Sequence, residues 1–114
     1  MSLVSIQEEY NKAKSEYIEL INELSNSDLG NCDNEHILNN LIAGKTKFEL
    51  IKIKSDNEVL SEEEKDKLKD IQYSIVDSLF LCMDLINFYK TNQVERFKMR
   101  AVNYVNKKRI EELF

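Results

Sequence analysis

No proline occurs anywhere in the 114 residues, and glycine occurs only twice, at Gly30 and Gly44. A chain so poor in turn-makers cannot supply the many tight corners of a β-sandwich, nor a glycine-rich loop that cradles phosphate. Long helices joined by short polar breaks are what remains. The length suits one domain, taken as residues 1–114. With 42% apolar and 32% charged residues, a small core under a well-solvated surface is within reach.

Apolar periodicity places the helices. Leu3, Ile6, Tyr10, Ala13, Tyr17, Leu20 and Leu24 follow one another in alternating steps of three and four, the spacing of a helix seam. Ser5 and Glu8 stand as a capping-box pair and predict a first helix from about Ser5 to Leu24. The polar stretch from Ser25 to Asn31 breaks it, because short polar side chains compete for the backbone. A second helix starts after Asp33 or Asn34 and carries Ile37, Leu38, Leu41, Ile42, Phe48, Ile51 and Ile53. Gly44 sits inside it at a cost of about 1 kcal/mol relative to alanine, which fits a close helix crossing. Ser61 and Glu64 form a second capping pair, with Glu62 and Glu63 at the positive end of the helix dipole. The third helix shows Leu68, Ile71, Ile75, Leu79, Cys82, Ile86 and Tyr89, and Phe80, Met83 and Phe88 widen its apolar surface. Thr91-Asn92-Gln93 is a weak break without glycine or proline, so the last two helices could form one rod. The expected fold is all-α: an antiparallel bundle of three long helices, or four if that break is real.

Charge is unevenly spread. Residues 1–89 hold 9 Lys/Arg and 18 Asp/Glu, whereas residues 90–114 hold 7 Lys/Arg and 3 Asp/Glu. An acidic body thus ends in a basic helix whose Arg96, Arg100 and Lys107 share a face. These residues, with Lys98, Lys108 and Arg109, could contact nucleic-acid phosphates. Two features weigh against that: the acidic body would repel a polyanion, and Phe97 and Tyr104 fall on the apolar side. The plainer expectation is that the basic helix lies across acidic neighbours and neutralises them.

Little points to bond-making chemistry. Asp33 and His36 have the spacing of metal ligands one helical turn apart, with Cys32 and Glu35 beside them. A carboxylate-bridged metal pair would need a second such motif, and the chain has one histidine. Asp70, Asp77 and Asp84 recur every seven residues, about 10 Å apart along a helix, too far to share an ion. No cofactor is expected, and no enzyme. Two cysteines without a disulfide framework suggest a reducing compartment, hence the cytoplasm. No apolar h-region follows Met1, and the longest apolar run, Leu79 to Met83, is too short to cross a bilayer, so no membrane partner is expected.

The chain resembles the FliT-type flagellar export chaperones of bacteria. The resemblance is carried by the heptad helix Tyr10 to Leu24, by Ile37-Leu38-Asn39-Asn40-Leu41-Ile42-Ala43-Gly44-Lys45, and by Leu60-Ser61-Glu62-Glu63-Glu64 opening a long third helix. It spans most of the chain as a pattern, without a diagnostic motif. It departs from the family where Lys45 or Lys47 stands, a place where an arginine is often found. The resemblance implies a protein partner bound through an amphipathic helix, without catalysis, and a last helix that folds back. Phe80, Met83 and Phe88 would line the apolar groove, since methionine repacks easily. Self-association is the other expected partnership.

Overall fold

The computed structural model describes residues 3–26, 34–58 and 61–113. Four helices follow in order: α1 (Leu3–Ser25), α2 (Asn34–Asp56), α3 (Glu62–Lys90) and α4 (Val94–Leu113). Among the described residues there is no strand. Each helix packs on the next, and α4 closes the ring against α1, which makes an antiparallel four-helix bundle of 50 × 28 × 18 Å.

Ser61 starts α3 as expected. Its hydroxyl accepts from the Glu64 backbone N–H at 3.3 Å and donates to the Glu64 carboxylate at 3.1 Å. Ser5 does not start α1, because the helix already runs from Leu3 and encloses it. The end of the first interhelical break and the Asp33 cap fall outside the described residues.

The Thr91-Asn92-Gln93 break is a real corner, and the last two helices are separate. Gln93 N–H donates to Phe88 O at 2.8 Å and Asn92 N–H donates to Tyr89 O at 3.3 Å, the paired bonds of a Schellman motif. Asn92 takes the left-handed conformation this motif requires, with φ of 57°. Gln93 O then receives the Phe97 N–H at 3.0 Å, so one residue closes α3 and opens α4.

The core runs the length of the bundle. Ile6, Tyr10, Ala13, Tyr17, Ile21 and Leu24 come from α1; Ile37, Leu41, Phe48 and Ile51 come from α2. Leu68, Ile75, Leu81, Cys82 and Leu85 of α3 and Phe97, Ala101, Tyr104 and Val105 of α4 complete it. Two details differ from strict heptads. Ile21 is fully buried and Leu20 only partly so, and on α3 the seam passes through Leu81 and Leu85. A straight helix of 3.6 residues per turn drifts away from a 3.5-residue pattern, so the buried residue steps on by one. Gly44 lies on the buried side of α2, where a Cβ would overlap ring carbons Cδ2 and Cε2 of Tyr17. The close approach is therefore made by a side chain filling the space over the glycine.

Although its longest uninterrupted apolar run is short, α3 contains an 18-residue stretch with the mean hydropathy of a membrane-crossing helix. Its apolarity has two sources: one face closes the bundle core, and the other faces outward.

Candidate functional site: the outer face of α3

Tyr73, Val76, Phe80 and Met83 follow one another in steps of three, four and three, so they form one row along α3. The row points away from the core. Tyr73 is 79% exposed, Phe80 57% and Met83 51%, and Val76 is half-buried. On the outward side of α2, Ile42 and Ile53 are exposed as well. The bond from Gln72 Nε2 to Asp56 Oδ1, 2.9 Å long, sets the antiparallel register of α2 and α3. It puts Ile53 level with the Tyr73 end of the row and Ile42 level with the Met83 end. A groove of about 280 Å³ between Lys52, Asp56, Lys69, Gln72, Tyr73 and Val76 marks the Tyr73 end.

Phe80 and Met83 thus share a surface, as the sequence-based groove requires. Phe88 does not join them. It is partly buried and packs against the core, around the helix on the side of α4. The reason is angular: Phe88 lies five residues beyond Met83, about 140° further around the axis. Tyr73 and Val76 take its place, and the three-four spacing already present in the sequence could have found them.

The basic face is largely turned inward upon α3. Arg100 Nε donates to Asp84 Oδ2 at 2.9 Å, and Lys107 Nζ donates to Asp77 Oδ2 at 3.3 Å. The seven-residue spacing of Asp77 and Asp84 therefore matches that of Lys107 and Arg100 on the antiparallel neighbour. Lys108 is nearly enclosed, with only 4% of its side chain exposed, and reaches Asp77 at 3.4 Å and Glu111 at 3.2 Å. Its ammonium also lies over the Tyr104 ring, 5.4 Å from the centroid. Burial alone would push Asp77 upward, but its bonds to Lys107 and Lys108 outweigh that and hold it below the usual carboxylate range. Burial would likewise lower Lys108; Tyr10, Glu111 and Asp77 outweigh it and raise it. Arg96 is exposed at the α3 edge of α4.

A polar chain that the sequence analysis missed lies beside these pairs. Ser78 Oγ, fully buried, bonds Tyr104 Oη at 2.8 Å and Tyr10 Oη at 3.1 Å, while Tyr10 Oη donates to Ser74 O at 3.2 Å. The chain ties α1, α3 and α4 together across the core. Its signal was a serine at a seam position of α3 opposite two tyrosines on seams of other helices.

His36 is exposed and its Nε2 lies 3.3 Å from Asn40 Nδ2. Cys32 and Asp33 fall outside the described residues. Among the described residues no three His, Cys, Asp or Glu side chains gather as metal ligands. Cys82 is a buried free thiol whose pKa burial pushes up to about 11, so it is a poor nucleophile at neutral pH.

No protein-family model, no curated protein and no solved structure matches this chain.

Proposed function

We propose that the chain is a non-catalytic helical interaction module that holds an amphipathic helix of another chain against the outer face of α3, as a FliT-type export chaperone does. The observation that carries it is the exposed row Tyr73, Val76, Phe80 and Met83. A contiguous exposed apolar row of this kind is a feature of interaction surfaces, unlike apolar residues scattered singly. The row's spacing suits a helical partner, whose own anchors recur at three and four residues. Met83 and the two aromatic rings give it an adaptable surface. The buried free thiol of Cys82 is in keeping with a reducing compartment such as the cytoplasm.

The test is co-purification of the native protein alongside Met83→Glu. The substitution is expected to remove the partner and to leave the helical circular dichroism unchanged, because Met83 is half in water already. Retention of the same partner by Met83→Glu would contradict the proposal.

A further inference from the structure

We propose that, when no other helix is bound, the outer face of α3 is covered by the same face of a second copy, the two α3 helices lying antiparallel about a two-fold axis on that face at the level of residue 78. The proposal rests on the reading of this face as helix-binding and names its resting occupant.

Three observations carry it. The first is apolar self-complementarity. A two-fold axis at that level sets Tyr73 level with Met83 of the second copy, and Val76 level with its Phe80. Each aromatic ring then meets a flexible or branched aliphatic side chain, and methionine sulfur packs well on a ring edge.

The second is charge. The edge of α3 next to α4 carries Asp77 and Asp84, and beyond the end of α4 it continues through Asp70, which lines a groove with Gln7 and Lys14 of α1, and Asp66. Asp77 and Asp84 are paired with Lys107, Lys108 and Arg100. Among the described residues, Asp66, Asp70 and Arg96 are in no ion pair. The Arg100–Asp84 bond sets the register of α4 on α3, so Arg96, one turn before Arg100, stands one turn beyond Asp84, level with Phe88. The axis brings that level onto residue 68 of the second copy, between its Asp66 and Asp70. An antiparallel two-fold keeps like edges of the two helices on the same side. Arg96 of each copy therefore faces the two unspent carboxylates of the other, twice over.

The third is area. Tyr73, Phe80 and Met83 leave roughly 350 Å² in water between them, given the size of aromatic side chains. Counted on both copies and joined by Val76, Ile42, Ile53 and the charged flanks, the buried surface comes to about 1,200 Å², the lower edge of stable interfaces. A weak, exchangeable dimer follows, which a better-fitting helix can displace.

Sedimentation equilibrium of the full chain between about 1 µM and about 500 µM tests this, the range in which a small interface dissociates. The wild type is expected to pass from monomer to dimer across that range. Phe80→Glu is expected to stay monomeric. Arg96→Glu is expected to weaken the dimer about tenfold, and adding Asp66→Lys and Asp70→Lys to it to restore affinity to within about threefold of wild type. The rescue matters because loss of folding cannot produce it. A wild type monomeric at every concentration would overturn self-pairing, as would a dimer indifferent to Phe80→Glu or to Arg96→Glu. Helix-binding by the face is judged separately, by whether Met83→Glu loses a co-purified partner, so the two can fail independently.

Discussion

At Gly44 the Tyr17 ring fills the space that a Cβ would need, and Phe48, one turn on, meets that ring edge-on at 5.7 Å between centroids. Alanine there would gain about 1 kcal/mol of helix propensity but must displace a ring held from two sides. Overpacking of this kind costs about 1–3 kcal/mol, so Gly44→Ala is expected to lower the melting temperature, as a thermal scan would show. The Asp77–Lys108 pair governs acid stability by a similar balance. Asp77 is lowered in the folded state, so its contribution is present above the ordinary aspartate range and is lost as pH falls through its folded value. Asp77→Asn leaves an enclosed ammonium with Glu111 as its only carboxylate; it is expected to cost about 2 kcal/mol at pH 7 and to flatten the acid side of the stability profile. Lys108→Met, which removes the buried charge instead of its partner, is expected to cost less. Denaturant melts at several pH values check both. Lys108 was legible only as a member of a basic run. The sequence shows its charge but not its direction, and an antiparallel partner helix alone brings Asp77 under it.

At the scale of the element, the break between α3 and α4 depends on Asn92. Its left-handed backbone costs most residues about 1–2 kcal/mol, which asparagine bears better and glycine avoids. Asn92→Val is accordingly expected to destabilise the bundle by about 1 kcal/mol or more, and Asn92→Gly to leave it unchanged or slightly firmer, as measured by urea unfolding. Thr91-Asn92-Gln93 reads as a weak break because it lacks glycine and proline, yet asparagine is the next residue able to close a Schellman turn. The opposite happened at Ser5. Ser5 and Glu8 have the letters of a cap, but Leu3 and Val4 before them already continue the helix, so the pair lies inside α1. Ser61 and Glu64 carry the same letters and do cap α3, with acidic residues behind them reinforcing the start. A capping motif thus marks a boundary only where the serine itself leaves the helical conformation, as Ser61 does with ψ of 163°.

For the whole molecule, an all-α bundle was legible from the absence of proline and the three-four spacing of apolar residues. The outward row was partly legible, since Phe80 and Met83 exceed what one seam uses. Phe88 was misplaced because its apolarity was counted without its angle: five residues beyond Met83, it lies about 140° further around α3. The basic last helix meets the acidic body through Arg100–Asp84, Lys107–Asp77 and Lys108–Asp77, so half of its six basic side chains serve the fold. The central claim is that α3, rather than another exposed apolar surface, meets partners. Met99 on α4 is 65% exposed against 57% for Phe80, which makes the two sites a matched pair. Site-specific photo-crosslinking from a benzoylphenylalanine placed at residue 80 or at residue 99 compares them directly. Adducts to a second helix, from this chain or another, are predicted from position 80 and not from position 99. Equal crosslinking from both, or crosslinking from position 99 alone, would contradict the account.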